Sequence, residues 1–184
     1  IGIFLLPNLA YFSDITPEKL IQLTNEERIK ANLNPLTTNQ LLTKAAYEKA
    51  KAILSSQEFK HNINNKKFSS WVKDVGYDYS YVGENLAIDF TTSQGIVTAW
   101  MNSPLHKKNI LNSYYQEIGI AAIEGGFNGQ PTMVVAQIFG APAISSAQAN
   151  ARQELILGKS DIKPAYENLL LNRGSTALGR ADNN

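Results

Sequence analysis

The 184-residue chain has no cysteine, only two histidines, and no excess of charge of either sign. No disulfide, thiolate metal site or cysteine nucleophile can form. With 17 Lys+Arg against 16 Asp+Glu, the formal charge is +1. That balance gives no general polyanion-binding surface, so nucleic acid is not an expected partner. The Lys-Lys pairs at 66–67 and 107–108 are the only breaks in an even mixture, and they read as solvated surface. The apolar run at 1–10, IGIFLLPNLA, is too short to span a bilayer and is interrupted by Pro7. HExxH, GxGxxG, P-loop and GxSxG signatures are all absent.

The chain is 43% apolar and 18% charged. That composition excludes a disordered chain, and the length suits one domain of about 150 residues with appendages. Residues 1–15 form an apolar arm with two open readings: the remnant of a signal or membrane anchor, or a segment packed on the domain. After Gly140 the stretch APAISSAQANARQ is small and polar, and residues 141–184 read as a linker and extension. The expected compact unit is 16–140.

Within that unit, Thr16-Pro17-Glu18 combines a hydroxyl cap, a proline at the first helical position and an acid in the first turn. The stripe Leu20, Leu23 and Ile29 then predicts an apolar helix face. A second helix is expected from Asn39 to Ser55, burying Leu41, Leu42, Ala45, Ala46, Lys49, Ala52 and Ile53. Shorter helices are expected at 68–75, after a Thr91 or Thr92 cap, and after Ser103-Pro104, with Ser103 as the cap. Residues 82–88 read as extended. EIGIAAIE and TMVVAQIF, separated by GGFNGQP, predict a central hairpin turning at Asn128-Gly129. Helices first and a hairpin last, with one strand between, indicate an α+β or layered α/β/α domain.

His61 and His106 sit among polar neighbours rather than in apolar stripes. As the third residue of its helix, His106 lies near the positive end of the helix dipole, which favours neutral imidazole able to accept a proton or bind a metal. Glu84 follows Gly83, where glycine permits close approach or an unusual backbone angle, and Asn85 has two open roles, to orient a neighbouring group or to close a turn.

The order Leu23-Thr24-Asn25-Glu26-Glu27-Arg28, Leu36, Leu41 with Ala45-Ala46, His61, Gly83-Glu84-Asn85-Leu86-Ala87, Trp100-Met101-Asn102-Ser103-Pro104-Leu105-His106-Lys107-Lys108-Asn109-Ile110-Leu111, Glu117-Ile118-Gly119-Ile120 and Gln137-Ile138-Phe139-Gly140 resembles the bacterial branch of the CAP superfamily, the SCP-like extracellular domains. That superfamily includes cysteine-rich secretory proteins, venom antigen 5 and class 1 pathogenesis-related proteins. The resemblance implies an α-β-α sandwich with a central antiparallel sheet, and a cleft lined by His61, Glu84 and His106. Asn102 and Ser103 stand where other branches carry a second glutamate, and Glu117 is an acid whose place in the cleft stays open. The resemblance also implies an extracellular or envelope location, with membrane anchoring through a terminal extension as one form of it.

Three functions follow as expectations. The first is a non-enzymatic domain binding a small hydrophobic molecule (a lipid), a glycan or a protein, with His61, His106 and Glu84 holding Zn²⁺ or another divalent cation; two imidazoles and a carboxylate suit zinc with an open fourth position. The second is a metal-assisted hydrolase of peptide or cell wall, with the same three residues as catalytic candidates and Glu84 as general base. The third is an assembly module that uses the terminal extensions.

Overall fold

The structure, a computed structural model, describes residues 14–144 together with 149–150, 153–154 and 156–157. The expectations for the arm at 1–13 and for most of the extension lie outside the described residues. In the second unit, which begins at Ile144, the Leu157 amide donates to the Gln153 carbonyl at 3.0 Å.

The element order is α1 (Pro17–Lys30), β1 (Thr37–Thr38), α2 (Gln40–Ser56), α3 (Phe68–Asp74), β2 (Tyr79–Ile88), α4 (Ser93–Asn102), α5 (Pro104–Ile110), β3 (Glu117–Phe127) and β4 (Gln130–Pro142). The caps expected at Thr16 and Thr92 are realised: Thr16 Oγ1 accepts from the Lys19 amide and Thr92 Oγ1 from the Gly95 amide. Asn39 caps α2 through its side-chain oxygen. The hairpin turns at Asn128 (φ 50°) and Gly129 (φ 77°), both left-handed, as a type I′ turn requires.

The four strands lie in the order β1-β3-β4-β2. β2–β4 and β3–β4 are antiparallel, and the two-residue β1 adds a parallel edge beside β3. Side chains alternate across the sheet, and this separates two cores. On one face Met133, Val135 and Phe139 of β4 pack with Leu20 and Leu23 of α1, Trp100 of α4 and Ile110 of α5. On the other, Val134, Ala136 and Ile138 pack with Leu42, Ala45, Ala46 and Ile53 of α2 and Val72 of α3. Helices therefore cover both faces, giving the expected α-β-α sandwich. β4 is buried on both sides because it is the inner strand of that sandwich. Gly119 lets α2 approach β3: a Cβ there would overlap the Leu42–Thr43 backbone.

Leu41, expected on the buried side of α2, is 39% exposed, and Ala50 is buried there instead; three further details differ from the sequence reading. Ile29 is 58% exposed, and Thr24 and Arg28 occupy the buried face of α1 instead. The boundary expected at 140 falls inside β4, which continues to Pro142 and pairs with Tyr79 and Tyr81. Ile15, expected in the arm, is part of the first core, and the Asp14 carbonyl accepts from Ser93 Oγ at 2.7 Å.

Candidate functional site

β2 is an edge strand, and its two faces meet different helices. Glu84 points to the α2 face, while Gly83 and Asn85 point to the face covered by α4 and α5. A cleft of about 500 Å³ opens at this edge, bounded by His61, Asn62, Lys67 and Ser69 on one wall, Gly83 and Glu84 on the floor, and Asn109 and Tyr115 on the other.

Glu84 is buried, and its Oε1 lies 2.8 Å from His61 Nδ1. A carboxylate accepts only, so against ionised Glu84 it is Nδ1 that carries the proton of this contact. The His61 ring itself is more than half exposed. Glu84 Oε2 makes no hydrogen bond and lies 4.0 Å from Lys49 Nζ. Lys49, fully buried on α2, donates to the carbonyls of Lys60 (2.8 Å) and His61 (2.6 Å). One ammonium thus holds the backbone that carries His61 and faces the carboxylate that orients its ring. Burial pushes the Glu84 carboxyl above its usual range, against the opposing pull of His61 and Lys49. Burial likewise lowers the Lys49 ammonium, and Glu84 partly restores it.

The opposite wall is fixed by amides. Asn109 Nδ2 donates to the Glu84 carbonyl (3.0 Å) and to Asn85 Oδ1 (2.9 Å). Asn85 Nδ2 donates to Gln137 Oε1 (3.0 Å) and the His106 carbonyl (3.3 Å). Gln137 passes the chain on to Thr24 Oγ1 at 2.9 Å. Asn85 therefore does orient its neighbours, as its position suggested.

Gly83 is required by the close approach of Tyr115, since an added Cβ would lie 2.3 Å from the Tyr115 hydroxyl oxygen. The Tyr115 ring stacks on Phe139 with centroids 5.3 Å apart, so it moves only by leaving that stack. Gly83→Ala is expected to cost about 1–2 kcal/mol through this overpacking and to raise hydrogen exchange in residues 112–116. Unchanged thermal stability and exchange would show that Tyr115 is not locked against Gly83.

His106 is half-buried and does not line the cleft. Its Nδ1 lies 2.8 Å from Ser103 Oγ, so the Ser103 side chain meets this ring and makes no cap bond to α5, contrary to expectation. The imidazole pKa is lowered, as expected, but the leading cause is burial, followed by the nearby charge of His61. Glu117 lies outside the cleft lining and accepts from the Tyr77 hydroxyl at 2.5 Å.

The donor set does not fit the expected zinc site. Among the described residues no group of three or more His, Cys, Asp or Glu side chains is placed to hold a metal ion. Glu84 has one oxygen on His61 Nδ1 and the other toward Lys49, so it orients His61 rather than offering a ligand. Lys49 and Asn109 were not among the expected site residues, although Asn109 belongs to a segment that carries the family resemblance. Lys49 did fall on the buried stripe of α2, and a lysine there was the available signal for a buried acid.

A helix–sheet–helix sandwich with a histidine–carboxylate cleft at its sheet edge is the architecture of SCP-like domains. The chain belongs to the CAP, or cysteine-rich secretory protein, family, whose family model matches residues 21–139. It is 37% identical to YkwD of Bacillus subtilis over 112 residues, 59% of this chain and 43% of that protein. It is 30% identical to the membrane protein YlbC of the same organism over 109 residues, 57% of this chain and 31% of that one. The chain thus spans less than half the length of these curated relatives. An outer surface protein from Borrelia burgdorferi superimposes with a TM-score of 0.60 at 25% identity, covering 68% of this chain and 92% of that one. An extracellular SCP-domain protein from Bacillus anthracis shares the fold at a TM-score of 0.59 and 22% identity, covering 67% and 39%.

Proposed function

We propose that this chain is a non-catalytic, envelope-associated domain that binds a soluble glycan or peptide in the cleft beside β2. The observation that carries this reading is the state of Glu84. The only carboxylate lining the cleft among the described residues is buried and committed to His61 and Lys49, so it is poorly placed to activate water. The remaining lining is mainly polar side chains, with Asn109 offering its oxygen because both its N–H groups are spent on Glu84 and Asn85, and with Phe68, Val82 and the Tyr115 ring as its apolar surface, which suits a hydrated ligand better than a lipid tail. The envelope location is supported by two relatives, one named a membrane protein and one an outer surface protein. Among the described residues no helix is long and apolar enough to cross a membrane.

The test is amide-resolved NMR of the labelled chain with chitotetraose and with a muropeptide, followed by analysis of the mixtures for cleavage. Shifts centred on Asn62, Ser69 and Asn109, with the ligands recovered intact, are expected. Cleavage products made by the wild type and absent with Glu84→Gln would overturn the reading in favour of a hydrolase.

A further inference from the structure

β2 lies at the edge of the sheet, and an edge strand carries a row of backbone groups that pair with nothing in its own sheet. The hydrogen bonds show which residues carry that row. The Asn39 amide donates to the Ile118 carbonyl at 2.9 Å, so Ile118 faces β1 and its neighbours Glu117 and Gly119 face β4. Gly119 lies opposite Ile138, which leaves Gln137 and Phe139 facing β2, opposite Asn85 and Gly83. Backbone direction alternates along a strand, so Val82, Glu84 and Leu86 turn their N–H and C=O groups outward. Two of the outward carbonyls agree: that of Glu84 accepts from Asn109 Nδ2 and that of Leu86 from Trp100 Nε1, each at 3.0 Å, and both donors come from helices.

Asn109 and Trp100 thereby close part of the edge, and Leu86 and Ala87 are buried. Three outward groups stay open: the Val82 N–H, the Val82 C=O and the Glu84 N–H have no hydrogen-bond partner among the described residues. The opening coincides with the cleft, whose lining includes Val82, Gly83 and Glu84. Donor, acceptor and donor follow in one line, the two donors about 6.7 Å apart. A second extended backbone presents acceptor, donor and acceptor at that repeat, whichever way it runs. Sugar hydroxyls both donate and accept, so a fixed order of this kind does not select them.

Side chains of an added strand alternate between the two walls. The position beside Gly83 meets Tyr115 and Asn109 Oδ1, which already crowd that face of the glycine. The position beside Tyr81, on the same face, meets a pair of exposed rings: Tyr81 and Tyr114 stack with centroids 4.7 Å apart. The position between them faces the wall of His61, Asn62 and Ser69. We propose that the cleft takes an extended peptide as an added strand along β2, with a small polar side chain beside Gly83 and an aromatic one beside Tyr81. This rests on the cleft-binding reading above and selects peptide over glycan as the ligand.

The probe is the blocked heptapeptide acetyl-Thr-Ser-Thr-Tyr-Thr-Ser-Thr-amide, whose sequence is the same in both directions and so suits a parallel or an antiparallel strand. It is titrated into the labelled chain, with chitotetraose in a parallel titration. Shifts are expected at 81–84, 109 and 114–115, with slowed exchange of the Val82 and Glu84 amides and unchanged exchange of Gly83 and Asn85, which already bond to β4. Two N-methylated forms follow, one modified at positions three and five, the other at positions two, four and six. Alternate N–H groups of an added strand face β2 or solvent, so one form is expected to lose about fivefold or more in affinity and the other to stay within about twofold. Equal effects of the two modifications, or binding that leaves exchange at Val82 and Glu84 unchanged, would overturn strand addition. Cleft binding of chitotetraose without the peptide would overturn it too and leave the cleft-binding reading standing; no cleft binding by either would remove both.

Discussion

Lys49→Met is expected to lower the unfolding free energy by about 3–5 kcal/mol at pH 8, and by distinctly less at pH 5. The size follows from what the substitution strands. Lys49 Nζ is the cation facing the buried Glu84 carboxylate, and it also donates to two backbone carbonyls at 60 and 61. Methionine fills much of the volume and supplies none of these interactions. The pH dependence comes from Glu84, whose folded pKa is raised, chiefly by burial. A carboxyl with a raised folded pKa contributes most below its unfolded value of about 4.3, and that contribution is lost as pH rises through the folded value. Removing Lys49 removes a charge that lowers this pKa, so Glu84 moves further up and its ionisation opposes folding more strongly. The deficit therefore grows with pH. Urea unfolding of wild type and variant at both pH values measures it, and Lys49→Met/Glu84→Gln is expected to recover much of the loss at pH 8. A deficit that is equal at the two pH values and unrelieved in the double variant would show that the ion pair is not what the lysine supports.

This ion pair marks where the sequence could be read and where it could not. The second helix, its Asn39 start and most of its buried stripe, Leu41 excepted, were legible because helical periodicity and side-chain capping act within a few residues. Lys49 fell on that stripe, but its partners come from the loop at 60–61 and from β2, and no local pattern links them. His61 and Glu84 were legible as a pair only through the family resemblance; their 2.8 Å contact depends on the tertiary fold. Ser103 shows the opposite case. Ser-Pro at a helix start predicts a cap, yet its hydroxyl meets His106 one turn on, an equally local alternative. The parallel edge β1 is two residues long and has no alternation to detect. Asn85, Gln137 and Thr24 are each unremarkable polar residues in sequence, and become a connected chain only when β4 lies between β2 and α1.

The wall opposite His61 depends in the same way on a second buried cation. Arg28→Met is expected to lower the unfolding free energy by about 3 kcal/mol, and Arg28→Lys by about 2 kcal/mol. Arg28 is 1% exposed on α1, and no acid pairs with it among the described residues. Its guanidinium is spent on carbonyls: Nε donates to Asn34 at 2.9 Å, Nη1 to Ile110 and Asn112 at 2.8 Å each, and Nη2 to Tyr115 at 3.3 Å. Ile110 is the last residue of α5, whose terminal carbonyls have no helical partners and form the negative end of its dipole. One planar fork thus caps α5 and holds the turn into β3, including Tyr115 on the cleft wall. Methionine leaves these acceptors unpaired, at about 1–3 kcal/mol for each that water cannot reach. Lysine keeps the charge but presents a single nitrogen in place of the fork. Hydrogen exchange should therefore accelerate first at 109–116 in both variants, while the α2–β3–β4 core stays protected. Uniform acceleration across the sheet would mean that Arg28 supports the whole domain, and wild-type exchange at 109–116 would mean that these carbonyls do not need it.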